Sequence, residues 1–231
     1  MPEKARRLWF IIQPALVRRP VLRIKLQLDA GGWAILTLKD FPNYGVAGKA
    51  FGFTFAVRQH GITLLDGLEP VILATNADHN SLRFSAKPTG SPGEYRAEVK
   101  LPEPGAWTIE VDSGFIRFLL RNSKANDPKI PQAGYVMLPL KVIRPGAPII
   151  TLSEKEHAER LFVAKGCRAC HENGIGPTLT GKKLSANYVS RMLKDPAATQ
   201  NRSSRAGMWQ MPNLNLTAEH VAELTAFLTG Q

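Results

Sequence analysis

Apolar and polar residues alternate with a period of two over residues 31–143, which predicts short β-strands. Four runs show this alternation most clearly. Their apolar members are Phe51, Phe53, Phe55 and Val57; Tyr95, Ala97, Val99 and Leu101; Trp107, Ile109 and Val111; and Val136, Leu138, Leu140 and Val142. Segments rich in Gly and Pro separate the runs at residues 66–67, 90–93 and 102–105. Residues 121–134 are too polar and irregular for a strand and are predicted to form a loop.

The number and spacing of these runs favour an all-β domain. About seven to nine short strands separated by turns are typical of a sandwich of immunoglobulin-like type. We predict that this sandwich covers residues 30–144. A run of Pro, Gly, Ala and Pro then interrupts the alternation, and residues 145–150 are predicted to form a short stiff linker.

Beyond residue 150 the apolar positions recur at helical spacing, and we predict an all-α domain over residues 151–231. Capping residues and proline set the expected helix boundaries. These are a capping box formed by Ser153 and Glu156, a middle helix over 187–194 that Pro196 stops, and a last helix from the Thr217 cap to Gly230. The predicted fold class is therefore a two-domain protein, with an N-terminal all-β sandwich and a C-terminal all-α domain.

The strongest chemical signal is a Cys-x-x-Cys-His motif formed by Cys167, Cys170 and His171. Such a motif binds c-type haem, because two thiols about one helical turn apart add to the vinyl groups and the adjacent imidazole reaches the iron. The chain has 2 cysteines, and this motif uses both. Three other interpretations compete with it. A zinc site needs more ligands, a thioredoxin-like redox motif needs a βαβ setting, and a disulfide across two residues has poor geometry.

Residues 152–230 resemble a class I cytochrome c domain. The resemblance rests on an opening helix before the motif, the segment Gly176-Pro177-Thr178-Leu179 after it, and Met211-Pro212 before a closing helix. It implies one covalently attached haem c in an all-α fold. It also implies that His171 and Met211 hold the iron and that the carbonyl of Pro177 orients the His171 ring.

The resemblance leaves a choice for the sixth iron ligand, because Met208 stands three residues before Met211. Pro212 biases Met211 toward an extended backbone, which lets the Met211 side chain project across a haem face. Met208 follows a glycine, and we expect it to pack beside the haem or to lie at the surface. His157 and His220 are less favoured ligands, because both are expected on outward or terminal turns of helices.

Residues 33–120 resemble the YtkA-like group of exported immunoglobulin-like domains. The stretches that carry this resemblance are 57–61, 92–97 and 104–109. The resemblance implies an extracytoplasmic β-sandwich without a settled chemistry. His60, His79 and Met137 are residue types that bind copper, so copper binding by the sandwich is an alternative hypothesis. Scattered histidines in loops are more often solvated than bound to metal.

Positive charge is concentrated near the start of the chain. The formal net charge is +11, and residues 1–29 hold seven Lys or Arg residues against two acidic ones. Basic residues followed by apolar ones resemble a signal peptide, but Pro14, Arg18 and Arg19 interrupt the pattern. We interpret residues 1–29 as a basic arm or a degenerate signal. Basic and aromatic residues do not cluster together, which argues against nucleic-acid binding, and no apolar run reaches the length of about 18 residues that a transmembrane helix needs.

These features together predict an electron carrier, or an electron-transfer subunit of a larger oxidoreductase, rather than an enzyme. Two protein ligands on the iron would keep small ligands out, so the expected chemistry is outer-sphere electron transfer. The sandwich would dock the cytochrome on a protein partner such as a terminal oxidase or a dehydrogenase. The expected location is the periplasm or the outer face of the cytoplasmic membrane, with any membrane association made through the partner. The alternatives are a metal-handling or redox-sensing module with a copper-binding sandwich, and a haem enzyme with an open iron site.

Overall fold

The structure is a computed structural model that describes residues 33–115, 134–172, 176–179, 182–200 and 211–230. Several sequence predictions therefore lie outside the described residues. They are the arm or signal at residues 1–29, nearly all of the loop at 121–134, and Met208.

The strands and helices have the following bounds. The strands are β1 Ala34–Leu38, β2 Tyr44–Val46, β3 Ala50–Gln59, β4 Thr63–Leu64, β5 Val71–Asn76, β6 Ser81–Ser85, β7 Lys87–Pro88, β8 Glu94–Lys100, β9 Gly105–Asp112 and β10 Tyr135–Ile143. The helices are α1 Glu154–Ala164, α2 Cys167–His171, α3 Ala186–Lys194, α4 Pro196–Thr199 and α5 Ala218–Thr229.

In the described part of the chain, the strands form two five-stranded sheets. The first has the order β1-β3-β8-β7, with β4 paired to β3, and the second has the order β2-β10-β9-β5-β6. Strands β1, β3, β8 and β7 thus take the A-B-E-D order of an immunoglobulin-like sandwich, and β5, β9 and β10 take its C-F-G order. The predicted all-β sandwich is confirmed.

The alternating residues of the sequence form the core between the two sheets. Phe53 and Phe55 of β3 are fully buried, as are Ile109 of β9 and Leu138 of β10, while the polar residues between them face outward. Tyr95 is also buried, and its hydroxyl donates to the Leu65 carbonyl at 2.7 Å and accepts from the Leu68 N–H at 3.1 Å. The core therefore satisfies the polar end of its largest fully buried aromatic residue internally.

Strand β1 differs from the other strands because all five of its residues are buried. Ala34, Leu36 and Leu38 belong to the sandwich core. Ile35 points to the opposite face, where it packs with Trp33 and with Cys170 of α2. Because β1 is covered on both faces, it is the point at which the sandwich and the helical region meet.

The helical region begins and ends as its capping residues predict. Ser153 and Glu156 form the capping box, in which the Glu156 carboxylate accepts from the Ser153 N–H at 2.9 Å. Helix α3 starts one residue earlier than predicted and ends before Pro196, which itself opens the short helix α4. Thr217 caps α5, and Gly230 ends it at a φ of 73°. No helix within the described ranges is long and apolar enough to span a membrane.

Two basic side chains join α1 and the turn after it to the sandwich. The Arg160 guanidinium donates to the carbonyls of Pro42, at 2.6 Å, and Pro139, and it lies 4.9 Å from the centre of the Phe41 ring. Lys165 is 8% exposed, and its ammonium donates to the Leu38 carbonyl at 3.3 Å. Burial lowers the pKa of both groups. The chain thus places two cations against carbonyl oxygens of the sandwich.

Candidate functional site

The Cys-x-x-Cys-His motif forms α2, a helix of five residues. Cys167 is three positions from Cys170 and four from His171, so the three side chains lie on one side of the helix. Cys167 is buried, and the other two residues are half-buried. Gly166 precedes the helix at a φ of 80°, in the left-handed region that favours glycine. This local geometry presents both thiols and the imidazole to one shared space.

Pro177 orients the ring of His171. The Nδ1 atom of His171 lies 2.8 Å from the carbonyl oxygen of Pro177. Because a carbonyl oxygen can only accept, the Nδ1–H group donates this bond and Nε2 carries the lone pair. Metal-binding histidines use the same arrangement, in which a backbone oxygen holds one ring nitrogen and the metal takes the other.

The motif opens onto a cavity of about 360 Å³. That volume lies in the range of small-molecule and cofactor sites. All five predicted site residues line it: Cys167, Cys170, His171, Pro177 and Met211. Much of the remaining wall is apolar and comes from Phe162, Leu179, Leu184, Val189, Leu193 and Leu228. The helices therefore surround a largely hydrophobic space whose lining includes one imidazole and two thioethers.

Met211 reaches the cavity from the segment that leads into α5. Its backbone N–H donates to Oε1 of Gln200 at 3.0 Å, and its carbonyl accepts from Nε2 of the same residue at 3.1 Å. Because Met208 lies outside the described residues, the choice between the two methionines stays a prediction. Met192 of α3 also lines the cavity, and no sequence signal distinguishes it from a core residue of that helix.

The sandwich contributes part of the cavity wall. Trp33 and Ile35 line it, and both are 2% exposed. A Cβ atom on Gly166 would lie 2.6 Å from Cγ2 of Ile35, and a Cβ on Gly61 would lie 2.5 Å from Cγ of Pro212. These two glycines allow the sandwich to touch both the motif helix and the Met211-Pro212 segment. The site is therefore shared between the two regions.

Burial makes both thiols weakly acidic. It raises the pKa of Cys167 to about 12 and that of Cys170 to about 11. Both sulfurs are therefore protonated near neutral pH. Rapid disulfide exchange requires a thiolate, so this environment does not favour a thioredoxin-like redox role.

The other histidines of the helical region lie away from this cavity. His157 pairs through Nδ1 with Glu223 on α5, and the backbone N–H of His220 donates to the Thr217 cap at 3.2 Å. Burial is the main cause of a lowered pKa at His220. Among the described histidines, His171 alone lines the cavity.

The three residues considered for copper are distributed over the sandwich. His60 follows β3 in the first sheet, His79 lies in the turn between β5 and β6, and Met137 is 55% exposed as the third residue of β10. The register pairs Met137 with Glu110, and it pairs Glu110 with Leu73 of β5. Leu73 lies about 10 Å along β5 from Asn76, the residue at which the strand ends before the turn that carries His79. No group of three or more His, Cys, Asp or Glu residues in the described part could hold a metal ion.

No family model and no curated protein matches this chain. Among solved structures, trypsin-activated alpha-2-macroglobulin from Escherichia coli aligns over 48% of this chain and 7% of its own, at 14% identity and a TM-score of 0.34. The Lin-41 filamin domain aligns over 47% of this chain and 90% of its own, at 8% identity and a TM-score of 0.33. Surface layer protein SbsC aligns over 51% of this chain and 14% of its own, at 14% identity and a TM-score of 0.29. Similarities this weak carry no argument about function.

Sequence reasoning missed two kinds of site residue. Trp33 and Ile35 belong to the sandwich, and their place in the cavity wall depends on how the two regions pack. Gln200 is a single amide in a polar stretch, and its bonds to Met211 connect positions eleven residues apart. A signal for β1 does exist, since Ala34 to Leu38 is almost continuously apolar, as in strands covered on both faces.

Proposed function

We propose that the protein is a monohaem c-type cytochrome that transfers electrons, with residues 152–230 folded as a class I cytochrome c domain. The observation that carries this proposal is the bond from His171 Nδ1–H to the Pro177 carbonyl, beside a cavity that both motif cysteines line. It leaves the Nε2 lone pair of His171 available to a metal next to two thiols that can form thioether bonds.

The residues around the cavity fit a haem in their chemistry. The wall is mainly apolar, as a porphyrin face requires, and its sulfur and imidazole groups are the ligand types of a cytochrome c iron. The bound haem would supply an iron that alternates between the ferric and ferrous states. His171 and Met211 would take its two axial positions, and a thioether ligand favours the reduced form.

The two proposed protein ligands of the iron also argue against a role as a haem enzyme. With His171 and Met211 both holding the iron, small molecules would have no open place on it, so the protein would carry electrons rather than act as a haem enzyme. Phe162 and Leu193 are buried in the wall and make this part of the cavity lining apolar. Tyr188 lines the same cavity and is 43% exposed, so the site also reaches the surface.

We further propose that the sandwich attaches this carrier to a larger redox complex, such as a terminal oxidase or a dehydrogenase, outside the cytoplasm. The resemblance to exported immunoglobulin-like domains and the covalent attachment chemistry support that location. The sandwich has a second role in this proposal, since Trp33 and Ile35 close one side of the haem cavity. Copper binding has no comparable support, because β-strand register separates Met137 from the turn that carries His79.

The test of this proposal is covalent haem in the full-length chain. Protein produced with a haem-attachment system should keep its colour after extraction with acidified acetone, with one haem per chain. Cys167→Ala and Cys170→Ala should each impair attachment. Thr178→Ala is the control and should leave attachment intact, because Thr178 is exposed. A colourless wild-type pellet would end the cytochrome proposal. Carbon monoxide binding to the reduced protein at neutral pH would instead indicate an open iron site and an enzyme.

A further inference from the structure

The side chain of Gln200 is bonded to the backbone at three points. Its Oε1 atom accepts from the N–H of Met211 at 3.0 Å. Its Nε2 atom donates to the carbonyl of Met211 at 3.1 Å and to the carbonyl of Pro196 at 3.0 Å. Gln200 itself is half-buried, follows the last residue of α4 and lines the cavity.

These bonds fix the orientation of the amide. Both Nε2 hydrogens point at carbonyl oxygens, which can only accept, and Oε1 points at an N–H group, which can only donate. A flipped amide would place Oε1 against two carbonyls and lose all three bonds. Pro196, the first residue of α4, therefore anchors the amide, and the amide holds both polar backbone groups of Met211.

The residue after Met211 is fixed as well. The ring of Pro212 restricts its own φ and biases Met211 toward an extended backbone. Pro212 is buried, and its Cγ atom lies only 2.5 Å from the position that a Cβ on Gly61 of the sandwich would take. The backbone of Met211 is thus held by Gln200 on the helical side, and its neighbour is held by the sandwich.

We infer that Gln200 is a positioning residue for Met211, fixing its backbone so that its sulfur can remain on the iron. The inference rests on the proposed function, since it needs a haem with a methionine ligand. Gln200 does not act on the iron directly; it lowers the freedom of the segment that carries the ligand. Loss of the two bonds to Met211 would let the sulfur leave the iron more often, and an added ligand would compete better for the vacated position.

The test uses full-length haem-bearing protein and two substitutions of Gln200. Gln200→Met keeps similar length and shape but makes none of the three bonds. Gln200→Glu keeps the acceptor for the Met211 N–H but cannot donate to either carbonyl when ionised. Asn213→Ala is the matched control, because the Asn213 amide oxygen accepts from the Asn215 N–H at 2.8 Å, in the same segment but not at Met211.

Two measurements report on the iron–sulfur bond apart from overall stability. One is the sulfur-to-iron charge-transfer band at the red end of the ferric spectrum, and the other is the dissociation constant of imidazole for the ferric protein. We expect Gln200→Met to weaken the band and to tighten imidazole binding about tenfold, which corresponds to about 1.4 kcal/mol, because the two bonds that hold the Met211 backbone are lost. Gln200→Glu should act in the same direction, and Asn213→Ala should match the wild type in both measurements.

Met211→Ala and Met208→Ala provide the reference points. If Met211→Ala removes the band and Gln200→Met leaves both measurements unchanged, the inference is wrong while the cytochrome proposal stands. If Met208→Ala removes the band instead, the ligand is Met208, and the inference fails for that reason. A wild-type chain without covalent haem would overturn the proposed function and this inference together.

Discussion

The two regions of the molecule fill their interiors in different ways. The largest of the fully buried side chains in the described residues, among them Tyr95, Phe53 and Phe55, all belong to the sandwich. The helical region has a smaller buried cluster, in which residues such as Phe162 and Val221 pack beside a cavity of about 360 Å³. The sandwich therefore has a complete core of its own, whereas the helices surround a cavity.

This difference indicates where the stability of each region comes from. The apolar side chains that line this cavity lack packing partners on its inner side, and the cavity is open to solvent near Tyr188. We therefore expect the sandwich to fold without a cofactor and the helical region to depend on one.

The largest effect should follow from preventing haem attachment. In the double variant Cys167→Ser/Cys170→Ser, we expect the backbone amides of α1, α3 and α5 to lose protection from hydrogen exchange, while those of β3, β8 and β9 keep it. The measurement is hydrogen exchange followed by mass spectrometry, with haem-bearing wild type as the reference. Equal protection of the three helices in both proteins would mean that the helical region has a sufficient core of its own.

A smaller effect should come from the contact that the two regions share. In Gly61→Ala, the new Cβ would meet Pro212 at 2.5 Å, and the residue would also have to keep a φ of 71°. Gly67→Ala is a matched control, because its φ is 72° and nothing lies within 4 Å of the new Cβ. Both variants should lose about 1–2 kcal/mol of unfolding free energy to the left-handed backbone.

Gly61→Ala alone should also weaken the sulfur-to-iron band, since Pro212 follows Met211 directly. The free energies of unfolding come from chemical denaturation, and the band from the ferric spectrum. If Gly61→Ala and Gly67→Ala lose the same stability and keep the same band, then the sandwich does not influence the cavity through this contact.

The smallest effect concerns the sandwich alone and its response to acid. A hydrogen bond from Lys39, supported by one from Thr89, lowers the pKa of Glu94 in the folded state. A lowered carboxylate pKa stabilises the fold above the pKa of the unfolded chain, and this contribution is lost as the pH falls through the folded value. Glu94→Gln should therefore cost about 0.2–1 kcal/mol at pH 7, as exposed ion pairs do, and almost nothing in strong acid.

Chemical denaturation at several pH values checks this prediction. Glu98→Gln removes a carboxylate from an exposed position on the same strand and serves as the matched control. A loss for Glu94→Gln that stays constant down to strong acid would assign its effect to packing rather than to charge. The helical region should contribute no part of this difference, because Glu94 and Lys39 both belong to the sandwich.

The sandwich and the helix boundaries followed from sequence because their signals are local. Alternation placed Trp107, Ile109 and Val111 on one buried face, and capping chemistry placed the start of α1 at Ser153. The spacing of the motif from Cys167 to His171 predicts its chemistry, and the structure places all three side chains beside one cavity. These signals depend on a few neighbouring residues and not on the packing of distant segments.

The remaining features depend on contacts between distant segments. The full burial of β1 arises because Ile35 packs against Cys170, about 135 residues further along the chain. The apolar run of β1 indicates a strand covered on both faces, but it does not indicate which distant segment covers the second face. The bonds of Gln200 to Met211 follow from where α4 ends relative to the next segment. In the sequence, Gly61 resembles an ordinary turn residue. The structure shows in addition that Pro212 lies too close to leave room for a Cβ at this position.

The contact between α2 and β1 bears on how the proposed haem would be attached. Gly166 lies against the backbone of Leu36, and Cys167 is 7% exposed in this arrangement. If the chain carries haem as proposed, an attachment enzyme would have to reach both sulfurs before the helix packs against the strand. We therefore expect the chain to present residues 167–171 while still open, with the sandwich already folded and the exposed linker residues around Gly146 serving as a tether. Residues 167–171 would then pack against β1 only after they carry haem. The sandwich would thereby act as a template for the last step of folding.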